Sequence, residues 1–191
     1  MPGTVPIAFW LLPGGADAVR LRSLVHRLAH EYRGPEFEPH ITLHVSACPR
    51  ETDVDSVLAR VAAASPAGLE LTALATGDSD AYYQALFAGI ATEGSEGAKL
   101  LALRRRLIDE FASAHQAQRQ VECAAYEFHP HMSLLYGDLP ATLRQQLAGV
   151  HELRGQTIIF DRIAAVKPAA GHRDLARVDR WNVFGHRTLG R

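Results

Sequence analysis

Two histidines of this chain stand in matching surroundings. The first lies in Phe37-Glu38-Pro39-His40-Ile41-Thr42-Leu43 and the second in Phe128-His129-Pro130-His131-Met132-Ser133-Leu134, so both segments read F-x-P-H-x-[ST]-L. Imidazole, with an ordinary pKa of about 6.5, is the side chain that accepts and releases protons near neutral pH. A hydroxyl two residues later falls on the same face of an extended strand. Two such strands related by an internal two-fold would direct two imidazoles and two hydroxyls into one cleft. One imidazole can then take a proton from water while the other protonates a leaving oxygen, each role worth on the order of 10²–10⁴ in rate. The hydroxyls of Thr42 and Ser133 can donate to phosphate oxygens. A cyclic phosphodiester suits the pair, because its departing oxygen stays attached to the product and acid and base must flank one phosphorus.

A single H-x-T carries little weight, since a histidine on a strand is usually a satisfied core or surface residue. The duplication carries the reading: Phe, Pro, His and Leu recur together, and the elements expected around each copy recur too. Ile7 to Leu12 reads as a strand closed by Pro13-Gly14-Gly15. Asp17 to Tyr32 has helical spacing and stops at Gly34-Pro35. His40 to Ala47 is the first motif strand, followed by a helix from about Thr52 to Ala64 and strands over Leu69 to Thr76 and Tyr82 to Ala91. The second half offers a helix from about Glu96 to Gln116, the motif strand His131 to Tyr136, and a short helix over Pro140 to Val150. Strands over Gln156 to Val166 and Arg180 to Phe184 complete it. The expected architecture is α+β: a single bilobal domain of duplicated halves, approximately 1–91 and 92–191, with elements open to exchange between lobes. Two mainly antiparallel sheets face a central cleft and the helices lie outside.

The chain has 191 residues, enough for one domain, with a net charge of -1 and a pI near 6.8. That balance argues against long nucleic acid as a main partner, because polyanion binders carry a basic excess. A small phosphorylated ligand needs only a few local donors. Cys48 and Cys123 have neither metal-ligand spacing nor a disulfide framework, and read as free thiols in a reducing compartment. Val5 to Pro13 is short, interrupted by Pro6, and lacks a basic leader, so it reads as a buried strand and not as a signal or membrane span. A cytoplasmic monomer without cofactor or metal is the expectation.

The residues quoted so far resemble the 2H phosphoesterase superfamily, and within it the cyclic phosphodiesterase branch best known from plants. The likeness covers the Trp10 strand, Gly34-Pro35-Glu36-Phe37 leading into Pro39-His40-Ile41-Thr42, the Ala75-Thr76-Gly77 turn and Tyr83-Gln84. It continues through Pro130-His131-Met132-Ser133-Leu134-Leu135-Tyr136-Gly137-Asp138-Leu139. What the resemblance implies is metal-independent hydrolysis of 2',3'-cyclic nucleotides to 2'-phosphates, and of ADP-ribose 1'',2''-cyclic phosphate, in a groove between two lobes. His40 and His131 match the family's catalytic histidines, Thr42 and Ser133 its phosphate-holding hydroxyls, and Tyr136 a tyrosine that helps hold the substrate. Trp10 and Tyr83 match aromatic positions near the base; core packing is an equal reading for both. Pattern symmetry does not separate base from acid; His131 is taken to activate water and His40 to protonate the 3' oxygen.

Strict alternation sets Tyr136 on the face opposite His131 and Ser133, so its role requires the strand to twist or end before it. The same alternation puts His44 on the motif face as a polar lining residue; His129, which precedes Pro130, is placed at the cleft rim. Arg104-Arg105-Arg106 reads as a solvated helix face. Two other functions compete: an RNA-processing relative acting on cyclic-phosphate ends or 2',5' linkages, which a near-neutral charge disfavours, and a nucleotide-binding module without turnover, which would not require an acid-base pair.

Overall fold

The computed structural model describes residues 4–49, 53–114, 128–149, 153–168 and 177–191. Its elements follow the order β1 (Thr4–Pro13), α1 (Gly15–Tyr32), β2 (Ile41–Pro49), α2 (Val54–Ala63), β3 (Leu69–Gly77), β4 (Leu86–Ile90), α3 (Gly94–Ala114), β5 (His131–Leu135), α4 (Ala141–Ala148), β6 (Thr157–Pro168) and β7 (Trp181–Thr188). Helical periodicity decides the helices: α1 buries Ala18, Leu21, Leu24, Val25 and Ala29, and α3 buries Leu100, Leu103, Leu107 and Phe111. The Asp53 side chain caps α2 by accepting the Ser56 N–H at 3.1 Å. The expected strand from Tyr82 begins later, because Tyr82–Gln84 forms a 3-10 turn and β4 starts at Leu86. Cys48 lies on β2; Cys123 lies outside the described residues.

All pairings are antiparallel, and the expected two sheets are continuous with each other. The seven strands run β1-β2-β5-β4-β3-β6-β7, and a further pairing of β1 with β6 closes the first six into a ring. β6 makes this possible by its length. One of its edges pairs with β1, while the other takes β3 at Thr157 to Phe160 and β7 from Arg162 onward. Across the ring, β2 and β5 meet through a single bridge between Ile41 and Met132, beside the two motif histidines. Exchanging β1 with β4, β2 with β5 and β3 with β6 maps the pairings of the ring onto one another, with β2–β5 and β3–β6 each mapping onto itself.

Alternation along β1 separates two apolar layers. Ile7, Phe9 and Leu11 join the large core under the helices. Ala8, Trp10 and Leu12 face the other way and pack with Ala164, Val166 and Trp181. The second face carries the site, since Trp10 stacks there on the ring of His40.

Candidate active site

His40 directly precedes β2 and His131 opens β5. Each ring is held in the same manner. The Nδ1 of His40 lies 2.7 Å from the Glu38 carbonyl, and that of His131 lies 3.0 Å from the His129 carbonyl, in both cases two residues back. A carbonyl oxygen only accepts, so Nδ1 carries the proton in both rings, and Nε2 is the atom left for chemistry. The proline between carbonyl and histidine restricts the preceding residue to extended backbone, which presents that carbonyl to the ring.

The two rings differ in their surroundings. His40 is 6% exposed and stacks on Trp10, with ring centres 3.7 Å apart and planes 12° from parallel. Burial pushes its pKa down to about 4; the Glu38 hydrogen bond opposes the shift and the charge of nearby His131 adds to it. His131 is more open, and its ring meets that of Phe87 edge to face with centres 5.5 Å apart. Trp10 and Phe87 occupy corresponding places, since Trp10 pairs with Thr42 on β2 and Phe87 with Ser133 on β5. Phe87 is a residue the sequence reading missed. Its position opposite the second motif hydroxyl, matching that of Trp10, was the available signal.

The register of both motif strands skips one residue at the same place. On β2, Phe9 pairs with His44 and Trp10 with Thr42, which leaves Leu43 as an extra residue. On β5, Leu86 pairs with Leu135 and Phe87 with Ser133, which leaves Leu134. The leucine of F-x-P-H-x-[ST]-L is thus a β-bulge in each copy, and it resets the alternation of everything after it. Two expectations change for that one reason. His44 turns to the helix side, where its ring meets Phe111 edge-on at 6.3 Å, so it does not line the motif face. Its pKa is held down by burial and by the Arg104 charge. Tyr136, just beyond the end of β5, returns to the side of Ser133.

Tyr136 is 2% exposed and stacks on Phe37 of the first motif, with ring centres 3.6 Å apart. A hydrogen bond links it to Ser133, and burial followed by the Asp179 charge keeps its phenol protonated well above the ordinary tyrosine range. Ser133 donates its own proton to the Tyr83 carbonyl at 2.8 Å. The side chain of Tyr83 is 41% exposed, so core packing does not account for it. Thr42 is half-buried. Trp181, also missed from sequence, joins the Trp10 cluster, and its indole N–H has no partner among the described residues. Arg104 is half-buried beside the first motif, whereas Arg105 and Arg106 are exposed as expected. His129 is exposed.

A cavity of about 210 Å³ lies under α1 and α4, lined by Leu24, Leu28, Leu134, Leu147 and Leu153 together with Arg27, Glu31 and Tyr32, and neither motif histidine lines it. Among the described residues no three His, Cys, Asp or Glu side chains gather as metal ligands, and no helix is long and apolar enough to cross a membrane.

The closed antiparallel ring carries both histidines, each tied through Nδ1 to a backbone carbonyl. Residues 5–188 match the cyclic phosphodiesterase-like protein family, and the chain belongs to it. The chain is similar to a 2',3'-cyclic-nucleotide 3'-phosphodiesterase of Phaeosphaeria nodorum, 28% identical over 165 residues that span 82% of this chain and 80% of that protein. In fold it is similar to E. coli LigT, solved with 3'-AMP, at a TM-score of 0.57, 15% identity and 99% coverage of each chain. A protein of Thermus thermophilus matches with a TM-score of 0.59 and 18% identity, over 97% of this chain and 98% of its own. The chain is therefore a hydrolase of the cyclic phosphodiesterase kind, with a 2H phosphoesterase fold.

Proposed function

We propose that the chain hydrolyses 2',3'-cyclic nucleotides to nucleoside 2'-phosphates without a metal, with ADP-ribose 1'',2''-cyclic phosphate as a second substrate of the same chemistry. The observation that carries the reading is the pair of rings, each with Nδ1 tied to a carbonyl and close enough for the charge of His131 to bear on His40. His40 Nε2 takes a proton from water, whose oxygen attacks phosphorus. The bond to the 3' oxygen breaks, its electron pair stays on that oxygen, and His131 Nε2 supplies the proton. This reverses the roles taken for the two rings before their surroundings were known. A base must be neutral, and a ring with a pKa of about 4 is neutral at pH 7. His131, the less buried of the two rings, then takes the part of the acid.

Thr42 and Ser133 hold the non-bridging oxygens, with Ser133 turning its proton from the Tyr83 carbonyl to the phosphate. Tyr136 holds Ser133 in place, Trp10 backs one face of the His40 ring, and the exposed ring of Tyr83 stands where a base could stack. The name of the Phaeosphaeria nodorum relative specifies the 3' bond, which supports the 2'-phosphate product. We infer a cytoplasmic monomer acting on small molecules, the near-neutral charge supporting small substrates over polynucleotides. Phosphorus NMR of the product from 2',3'-cyclic AMP tests the bond cleaved: a 2'-phosphate is expected, and a 3'-phosphate would overturn the regiochemistry. A substrate with sulfur in place of the 3' oxygen tests the roles, because a thiolate leaves without protonation. His131→Ala should lose far less on that substrate than on the oxygen parent, while His40→Ala loses on both. The opposite pattern would exchange acid and base.

A further inference from the structure

Arg104 stands on α3, outside both motifs, yet it touches each of them. Its Nε donates to the Leu43 carbonyl at 3.1 Å, and its guanidinium carbon lies 4.6 Å from the centre of the Phe128 ring. Leu43 is the bulged residue directly after Thr42, and Phe128 opens the second motif three residues before His131. A bulge takes its residue out of the regular ladder, and a carbonyl freed in this way needs a donor from elsewhere.

Comparison of the two halves gives the contact its meaning. Phe37 of the first motif is covered by Tyr136, the second residue after the second bulge. The corresponding residue after the first bulge is Val45, which has no ring and is 52% exposed. Phe128 is covered by the Arg104 guanidinium instead. Each motif phenylalanine thus has a planar group against it that is also tied to a motif strand: Tyr136 through Ser133, Arg104 through the carbonyl beside Thr42. A guanidinium can donate in its plane and stack on an aromatic face together, which a lysine cannot.

We propose that Arg104 is a positioning residue of the reaction, bracing the Thr42 strand against the approach to His131 and so fixing the spacing of the groups that hold phosphate. The proposal rests on the reading of Thr42 as a phosphate-holding hydroxyl. The test measures kcat and KM on 2',3'-cyclic AMP for Arg104→Gln and Arg104→Lys, each alone and combined with Thr42→Val, with folding followed by near-UV circular dichroism. Both single variants should fold and lose kcat by about 10²-fold, as a misplacement near 1 Å would cause, with a smaller change in KM. The double variants should lose no more than Thr42→Val alone, because the brace acts through that residue. Folded Arg104→Gln with parental kcat, or losses that multiply in the double variant, would overturn the brace while leaving the phosphate role of Thr42 intact. A silent Thr42→Val would sink the hydroxyl reading and the brace with it. If Arg104→Gln does not fold, Arg104→Lys, which keeps the charge and gives up the fork, decides by the same comparison.

Discussion

His40 lies against the Trp10 indole almost out of reach of water, so its proton is coupled to folding as well as to turnover. Its folded pKa is about 4 and the ordinary value is 6.5, so between those values the unfolded chain binds the extra proton. Stability from this group is complete above pH 6.5 and is lost as pH falls towards 4, by roughly 3 kcal/mol in all. Urea unfolding at pH 5 and pH 7 checks the sign: the parent should weaken more on acidification than His40→Gln. An equal loss in both would contradict the buried neutral ring. In the free enzyme kcat/KM should fall on the acid side only near pH 4, and an acid limb at the ordinary histidine value would refute the shift.

At the scale of elements, the two bulges decide which side chains reach the face that carries the histidines. Gly34 shows how closely the halves fit there, since a Cβ at that position would come within 2.4 Å of the Tyr136 backbone oxygen. Gly34→Ala should destabilise the chain by about 1–3 kcal/mol and lower kcat by displacing Tyr136, measured by thermal melting and steady-state kinetics. A variant with parental melting and turnover would show that this contact is not under constraint. The helices and strands were legible because α1, α3 and β3 bury their apolar residues at the periods their elements require. His40 and Thr42 share a side because they precede the first bulge, where alternation still holds. His44 and Tyr136 follow a bulge, and spacing by two mispredicts both for the same reason. No residue type marks Leu43 or Leu134 as extra; only the pairing of Phe9 with His44 and of Leu86 with Leu135 reveals it. Arg104 was read as surface because its neighbours are, while its contacts come from strands distant in sequence.

For the whole molecule, β6 is the strand both arms share. Phe160, fully buried, pairs with Pro13 on one edge and Leu69 on the other. We propose that the chain is one domain of two pseudo-symmetric halves; the expected boundary near residue 91 leaves β4 in the first half, whereas the correspondence of strands puts it between β3 and β4, with β7 added to the outer edge. A shared strand makes separate melting of the halves costly. Phe160→Ala should cost about 3–5 kcal/mol and still unfold in one transition, coincident by circular dichroism and tryptophan fluorescence. Two resolved transitions would argue for independent lobes.

The central claim is that His40 and His131 act together on one phosphorus, and the most direct measurement is turnover of 2',3'-cyclic AMP in excess chelator by the parent, His40→Ala and His131→Ala. The account predicts chelator-insensitive hydrolysis by the parent and a loss of about 10²–10⁴-fold in each folded variant. Parental rates in either variant, or activity in the parent that disappears with chelator, would contradict it.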